Sequence, residues 1–318
     1  MKAERVKAEN VKAVIQKYGV LIVLILLLLI NACVTPNFVH INTIWNLLRQ
    51  AFPTIIISMG MTLVIATGGI DISVGSTMAL SSIIFARLLI DMEMGFGVSM
   101  LGALGASCVF GLFNGALVGI LDFQPIVATL ILMIAGRGIA QQFNNGAVLS
   151  FYGNAFTDLG TYRIGGVVPI QVLLIFIVVA IMSFLARKTT FGLYVQAIGD
   201  NGTASRLVGL KTTVVLIETY TLCALLAGGA AVLETLRLCA ADPNNIGSGI
   251  ELDCVAAVAI GGTSMSGGKA VIWGTLIGAI VMQLITTMMN MNNIYYAYAL
   301  VIKAFIIIAA LYLQRKKD

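Results

Sequence analysis

The segment Ile65–Ser76, IATGGIDISVGS, places a pair of glycines and a carboxylate between two long apolar runs. Gly68 and Gly69 permit a tight turn, because a residue without a Cβ adopts backbone conformations that other residues avoid. Asp71 or Ser73 can then accept hydrogen bonds from the free N–H groups that begin the next helix. The segment therefore predicts a helix, a turn and a second helix, with a carboxylate held in the turn.

The composition of the chain places these helices in a membrane. Of the 318 residues, 59% are hydrophobic and only 10% are charged, whereas roughly a quarter of the residues in soluble domains are charged. Apolar runs of about 20 residues, the length that crosses a bilayer, recur along the chain. We therefore predict an all-α, polytopic membrane protein in which residues 1–318 form a single transmembrane domain with a membrane-spanning core over 18–313.

About ten transmembrane helices are expected from the apolar runs between charged or turn-rich breaks. They lie at residues 18–35, 51–67, 74–90, 98–120, 126–143, 169–186, 213–236, 251–262, 270–290 and 296–313. The eighth is short, which suggests a helix that is broken or crosses only part of the membrane. The first follows a basic segment and resembles a signal peptide, but its length favours a helix that is kept.

The basic residues indicate the orientation of the chain. If the N-terminus is cytoplasmic, 13 of the 19 lysines and arginines fall on cytoplasmic segments, as the positive-inside rule requires. Both termini are therefore predicted to be cytoplasmic. Two loops are longer than simple turns, an external one at residues 144–168 and an internal one at 187–212. No soluble domain is apparent, so any nucleotide-binding fold is expected on another polypeptide.

A second copy of the opening motif lies near the end of the chain. Residues 259–268 repeat the pattern of residues 66–75, with Gly261 and Gly262 in the places of Gly68 and Gly69. Transporters often interrupt helices so that polar backbone faces the transport path. We therefore interpret the two glycine pairs as equivalent helix breaks. The alternative for the first copy is a capped turn with no transport role.

Polar residues inside the predicted spans are candidates for lining a transport path, because a charge facing lipid is costly. Arg137 and Gln141 are four residues apart and share one helix face. The complete set of candidates is Asp71, Asn114, Arg137, Gln141, Glu218, Gln283 and Lys303. Amides are frequent among them and no ring of acids is present, which suits an uncharged polyhydroxyl solute. A structural hydrogen bond or ion pair is the alternative for each residue.

Catalytic and metal-binding residues are not indicated. The five cysteines have no CxxC spacing and there is one histidine, so neither a zinc site nor a histidine-based catalytic centre is predicted. The segment TSMSGGKA resembles a phosphate-binding loop, but Thr263 replaces its first glycine and Ala270 its Ser or Thr. The chain is therefore expected to be neither an enzyme nor a cofactor-binding protein.

Four long segments resemble the inner-membrane permeases of bacterial ABC sugar importers of the ribose, xylose, arabinose and galactose kind. They are GMTLVIATGGIDISVGS, PIVATLILMIAGRGIAQ, FGLYVQAIGDNGTASRLVGLK, and ELDCVAAVAIGGTSMSGGK followed by GTLIGAIV, in the order of that family. Two further segments, QPIVATLILMIAGRGIAQQ and DPNNIGSGIELD, look most similar to the galactofuranose-type branch.

This resemblance implies a permease in the bacterial inner membrane that works as two copies, homodimeric or heterodimeric. The implied partners are an ABC ATPase, a periplasmic sugar-binding protein and membrane lipid, with no nucleic acid. The internal loop would couple to the ATPase through a short helix. Ala197, Gly199 and Gly209 occupy the small positions of the family, and Arg206 lies among them.

Two alternatives stay open from the sequence alone. A proton-driven secondary transporter would use Asp71, Glu218 or Glu234 as its proton carrier. An ABC permease for nucleosides or for a signalling furanoside would share the same scaffold as a sugar permease. The energy source separates the first alternative from an ABC importer, because only the importer is stopped directly by an ATPase poison.

Overall fold

A computed structural model describes residues 19–151, 157–295, 297–298, 300–305 and 308 of the chain. Its helices are α1 (Gly19–Val34), α2 (Ile41–Ala66), α3 (Val74–Ala86), α4 (Phe96–Gly119), α5 (Pro125–Gln142), α6 (Thr157–Thr161), α7 (Ile170–Lys188), α8 (Thr190–Asp200), α9 (Gly202–Leu207), α10 (Thr212–Leu238), α11 (Ile250–Ile260) and α12 (Ile272–Met291). A π-helical segment, Arg87–Asp91, continues α3. Four two-residue strands are β1 (Leu149–Ser150), β2 (Arg163–Ile164), β3 (Val168–Pro169) and β4 (Ala240–Ala241).

Seven helices in the described part of the chain are long and apolar enough to cross a membrane: α2, α3 with its π-helical continuation, α4, α5, α7, α10 and α12. The prediction of an all-α, multi-pass membrane protein is confirmed. Ten spans are not confirmed, because α1 and α11 are shorter than a full span. Half of the tenth candidate, 296–313, lies outside the described residues, and so do all the basic residues near both termini.

Helix α2 forms the centre of the molecule. Every residue from Ala51 to Ala66 is buried, and the helix packs against α7, α10, α11 and α12. A helix that is apolar on all sides belongs inside a bundle. By contrast, only 22% of the apolar window of α4 and 28% of that of α5 is buried within the chain. These two helices therefore present apolar surface outward.

Helix α4 packs against α10 through a row of glycines. A Cβ at Gly111, Gly115 or Gly119 would collide with α10 or crowd it. Small residues at four-residue spacing let two membrane helices approach closely, and the close contact stabilises the pair.

Both long loops contain regular structure. The loop at 144–168 carries β1, which pairs with β4, and a hairpin of β2 and β3. Residues 152–156 of this loop lie outside the described residues. The loop at 187–212 contains α8 and α9, and a side chain caps the start of each helix. The Thr189 hydroxyl accepts from the Gly192 N–H, and Asn201 Oδ1 accepts from the Ala204 N–H.

Candidate functional site

Each glycine pair ends a helix. Gly68 has φ +86° and Gly262 has φ +87°, the left-handed conformation that glycine adopts freely. Around Gly68, the N–H groups of Gly68 and Gly69 donate back to the last turn of α2, and Gly262 and Thr263 do the same for α11. This is the hydrogen-bond pattern of a Schellman C-terminal cap. The left-handed glycine is the first of one pair and the second of the other, so the copies are offset by one residue. Helix breaks within a span are not confirmed.

The two glycine turns meet at one end of the bundle, which the predicted orientation makes the inner end. The Gly268 N–H donates to the Ala66 carbonyl oxygen over 3.0 Å. Gly199 of α8 packs into this contact, since a Cβ there would clash with Ala66 O and Gly268 N. A Cβ at Gly268 would likewise strike the Asp200 carboxylate. We call these residues, Ala66, Gly199, Asp200, Gly267 and Gly268, the inner junction.

The other predicted coupling residues lie on α8, on α9 and two residues after α9. The Ala197 carbonyl oxygen accepts from the Asn201 N–H and from the Ser205 hydroxyl, each over 3.0 Å. Arg206 forms an exposed ion pair with Asp122 at 2.7 Å. Gly209 has φ +84° and no neighbour that a Cβ would meet. Beside it, Leu207 and Val208 are 84% and 78% exposed. The structure therefore turns Gly199 inward and leaves an apolar tip outside.

Asp71 is fully buried in the turn between α2 and α3 but does not cap α3. Its Oδ1 accepts from the Ser73 N–H over 2.9 Å and from the Ser73 hydroxyl over 2.6 Å, which is an Asx turn. Ser73 is the N-cap residue and makes no side-chain cap bond, so the predicted cap is wrong. Burial raises the pKa of Asp71 from 3.8 to about 6, against the two bonds from Ser73 that lower it.

Asn114 belongs to the same buried cluster. Its Nδ2 donates to the Ser73 hydroxyl over 2.7 Å. Asn114 Oδ1, Asp71 Oδ2 and the Tyr220 hydroxyl are buried without a hydrogen-bond partner among the described residues. A cavity of about 240 Å³ next to this cluster, lined by Thr67, Gly69 and Tyr220 among others, is the inner cavity.

Arg137 and Gln141 hold a loop at the other side of the bundle. Arg137 Nη1 donates to the carbonyl oxygens of Ile246 over 2.7 Å and Pro243 over 3.1 Å. Gln141 Nε2 donates to Asn244 Oδ1 over 2.9 Å. Both side chains thus have partners within the chain, as in the structural alternative, and they fix the segment 242–249 between β4 and α11.

Gln283 and Lys303 contact the same region. Gln283 Nε2 donates to Gln50 Oε1 over 3.3 Å, and Lys303 makes a two-pronged ion pair with Asp253 at 2.8 and 2.9 Å. Gln50 and Asp253 line a cavity of about 310 Å³, which we call the outer cavity. Four of the seven predicted pathway residues therefore support this cavity or its wall without lining it.

Glu218 stands apart from both groups. It is exposed on α10, as the seventh residue of the helix, and no ion pair of the described residues includes it. No group of three or more His, Cys, Asp or Glu that could hold a metal occurs in the part of the chain that the structure describes.

Apart from Glu234, which the sequence marked only as a proton carrier of an alternative transporter, the residues that line the outer cavity were not predicted from the sequence. Its polar lining consists of Gln50, Glu234, Asp242, Asn245, Ser248 and Asp253, with Thr54 beside them. The only signal for them is the DPNN turn at 242–245, in which Asp242 accepts from the N–H groups of Asn244 and Asn245. Burial pushes the pKa of Asp242 up, but the bonds from the Asn245 side chain and these N–H groups outweigh it and hold the pKa low.

Comparison with protein families matches residues 43–311 to the branched-chain amino acid transport system / permease component family. The match covers most of the chain, and the chain belongs to this family. It is a membrane permease component, which agrees with the apolar helices and with the polar residues gathered inside the bundle.

Individual relatives cover nearly the whole chain. The ribose import permease protein of Escherichia coli K12 is 36% identical over 310 residues, 96% of this chain and 96% of that protein. The galactofuranose transporter permease protein of the same organism is 35% identical over 309 residues, covering 93% and 89%. The fructose import permease protein of Bifidobacterium longum is 33% identical over 309 residues, covering 89% and 84%. The predicted resemblance to sugar-importer permeases is confirmed. No solved structure matches the chain.

Proposed function

We propose that this chain is the transmembrane permease subunit of an ATP-driven importer for a monosaccharide, a pentose or a hexose. The observation that carries the proposal is the full-length similarity to permeases for ribose, galactofuranose and fructose. The chain would form the translocation path and carry out no covalent chemistry, and ATP would be hydrolysed on a separate ABC ATPase subunit. A periplasmic binding protein would deliver the sugar.

The arrangement in the membrane follows from the same proposal. Residues 1–318 form one permease domain that crosses the inner membrane about ten times, with α1 and the segment 296–313 among the spans and α11 crossing only part of the bilayer. Both termini and the segment 187–212 lie in the cytoplasm, and residues 144–168 in the periplasm. Two copies, identical or similar, pair in the membrane, and the weakly covered α4 and α5 are free to contact the second copy or lipid.

Coupling to the ATPase runs through α8 and α9 in this proposal. The exposed Leu207 and Val208 would enter a groove of the ATPase as the apolar tip of a helix-in-groove contact. Movement of this tip reaches the bundle through Gly199, because that residue packs directly on the ends of α2 and the α11–α12 turn. ATP closure would then shift both glycine turns together, and the bundle would alternate between outward and inward access.

The proposal is tested by reconstituting the chain in lipid vesicles with its candidate ATPase and binding protein. We expect uptake of a radiolabelled pentose or hexose. This uptake should require ATP on the side of the membrane that carries the ATPase and loaded binding protein on the opposite side. Orthovanadate should stop uptake, and a protonophore should leave it intact. Uptake that is stopped at once by the protonophore and is insensitive to vanadate would contradict the proposal and favour a proton-driven carrier. A panel of nucleosides in the same assay tests the alternative substrate class.

A further inference from the structure

The outer cavity is built around irregular backbone that reaches deep into the bundle. Gly247 packs against Gly75, the second residue of α3, and neither position has space for a Cβ. Arg137, which binds the segment from α5, lies five residues, or about 8 Å, before the outer end of that helix. Non-helical backbone at membrane depth is tolerated only where protein buries it or where it lines a wet cavity. The segment 242–249 therefore marks a polar opening inside the bundle.

The cavity wall is fixed before any ligand arrives. Arg137 and Gln141 hold the segment from α5, and Asn244 Nδ2 donates to the Gly146 carbonyl oxygen over 2.7 Å. The pairing of β1 with β4 anchors its beginning, and α11 continues from its end. Binding to such a site costs little ordering of the protein, since the loop has already lost its freedom.

Charges around the cavity are balanced. Glu234 pairs with Arg237 over 2.9 Å, and Asp253 pairs with Lys303 over 2.8 Å. The third lining carboxylate, Asp242, is held by hydrogen bonds within the segment and lies within electrostatic range of Arg137. Arg137 also lies within electrostatic range of Glu251, and Arg49 within range of Glu234. Four carboxylates and four cations therefore surround the cavity, which offers no net charge to an ion. A neutral molecule that makes many hydrogen bonds fits this balance better.

The hydrogen-bonding groups and the size of the cavity narrow the range of possible ligands further. Each carboxylate keeps acceptor sites beyond those used by its partner, and Gln50 and Ser248 add N–H and O–H donors. Apolar side chains of Pro53, Met78 and Ile250 stand among these polar groups, where they can contact the C–H faces of a ring. A volume of about 310 Å³ is at the lower end of ligand sites, which suits one small molecule.

We propose that the outer cavity is a binding site for one monosaccharide, which it holds by its hydroxyl groups after the binding protein releases it. The inference rests on the proposed function for the substrate class. It places a sugar site inside a single copy of the chain, walled by the segment 242–249, and makes Gln50, Asn245 and Ser248 sugar contacts.

The test is protection of a cysteine by sugar, in the full chain assembled with its ATPase in lipid nanodiscs. The five native cysteines are replaced by alanine, and Ser248→Cys, at an exposed lining position, is labelled with a small neutral thiol reagent. D-ribose, D-galactose and D-fructose at millimolar concentrations are the probes. We expect at least one of them to slow labelling several-fold. Thr67→Cys, which lines the inner cavity, is the matched control and should label at the same rate with and without sugar.

A second variant tests the contact itself. In the Ser248→Cys background, Gln50→Leu removes an amide from the cavity and should raise the sugar concentration for half-protection several-fold. Gln283→Leu, which removes the side chain behind Gln50 without altering the lining, should raise it less.

Each outcome decides for or against the site. Equal slowing at Ser248→Cys and Thr67→Cys would indicate a global change and overturn the proposal, as would protection by sodium chloride in place of sugar. If the complex imports a sugar in vesicles but none of the probes protects Ser248→Cys, the site is wrong and the proposed function stands. If it imports no sugar and shows no protection, both proposals fail.

Discussion

The outer cavity is formed by long polar side chains, whereas the inner junction is formed by backbone in direct contact. Around the outer cavity, long charged and amide side chains meet across helices, and space of about 310 Å³ remains between them. At the inner junction, three segments touch through glycine backbone, and even a methyl group at Gly199 would collide with Ala66 O and Gly268 N. One region leaves room for a polar ligand, and the other leaves room for nothing.

This difference teaches how one small membrane domain separates two tasks. A site that must bind and release a polar molecule needs side chains with spare hydrogen-bonding capacity. A joint that must pass on a movement needs rigid contacts, because packed interiors shift as units and do not deform gradually. Substitutions in the two regions should therefore fail in different ways.

The largest effect is expected at the inner junction. Gly199→Leu should abolish the stimulation of ATP hydrolysis by loaded binding protein, because the side chain has no space and must push α8 away from α2. The measurement is the ATPase rate of the reconstituted complex, with the amount of inserted permease determined in parallel. Gly105→Leu, on the exposed face of α4 where a Cβ meets nothing, is the matched control and should retain the stimulation. Full stimulation in Gly199→Leu would contradict the claim that the inner junction transmits movement from the ATPase.

Arg137→Met should loosen the wall of the outer cavity. The change leaves the carbonyl oxygens of Pro243 and Ile246 without their charged donor, a loss of about 2 kcal/mol, or about thirtyfold in the opening equilibrium of the segment. Hydrogen exchange of residues 242–249 measures it. Gln141→Met, which removes one exposed bond to Asn244, should speed exchange less. Unchanged exchange in Arg137→Met would show that other contacts hold the wall.

The next largest effect is expected at the apolar tip formed by Leu207 and Val208. Val208→Ser should weaken assembly with the ATPase about tenfold, because a valine that is 78% exposed in this chain would be buried in the groove. Titration of the ATPase against permease in nanodiscs measures the affinity. Val39→Ser removes an equally exposed valine, at 71%, before α2 and should not change it. A loss of affinity in both variants, or in neither, would contradict docking through this tip.

Asp71→Asn should have the smallest effect on uptake, within about twofold, because an amide oxygen keeps the Asx turn with Ser73. Stability should respond to pH. Since burial raises the pKa of Asp71 from 3.8 to about 6, ionisation destabilises the folded chain as the pH rises from 4 through 6. The thermal midpoint of the wild type should therefore fall relative to Asp71→Asn over this range. An equal pH dependence of the two would show that folding does not shift the pKa of Asp71. Lost uptake would assign the carboxylate a transport role.

The membrane helices could be predicted from the sequence because lipid demands continuous apolar runs. Helices α3, α5 and α7 begin within one residue of their predicted starts. Helix α2 begins ten residues early, at Ile41, because Asn42, Arg49 and Gln50 made its first turns look like a loop. The short helices α8 and α9 were not predicted from apolar runs, because their amphipathic pattern covers less than four turns.

Contacts between segments that are distant in the chain could not be predicted from the sequence. Arg137 was identified as important by its polarity inside a span, but its partners are backbone carbonyl oxygens more than 100 residues away, and every residue has such a group. Gly199 was marked by the family resemblance as a small position facing a partner. The structure shows that it is small because it faces Ala66 and Gly268 of its own chain. The repeat of the glycine motif predicted two equivalent helix breaks, whereas the structure has two helix-ending turns that touch each other.

The central claim is that the inner junction transmits the ATPase stroke while the outer cavity holds the sugar. The most direct test is the number of sugar molecules imported per ATP hydrolysed, in vesicles supplied with loaded binding protein. Gly199→Ala should reduce stimulated hydrolysis and uptake together and leave the ratio unchanged. Gln50→Leu should keep the stimulated hydrolysis and lower the ratio. The conformational change driven by ATP still occurs in this variant, but the outer cavity binds the sugar more weakly. A lowered ratio in Gly199→Ala with an unchanged ratio in Gln50→Leu would contradict the account.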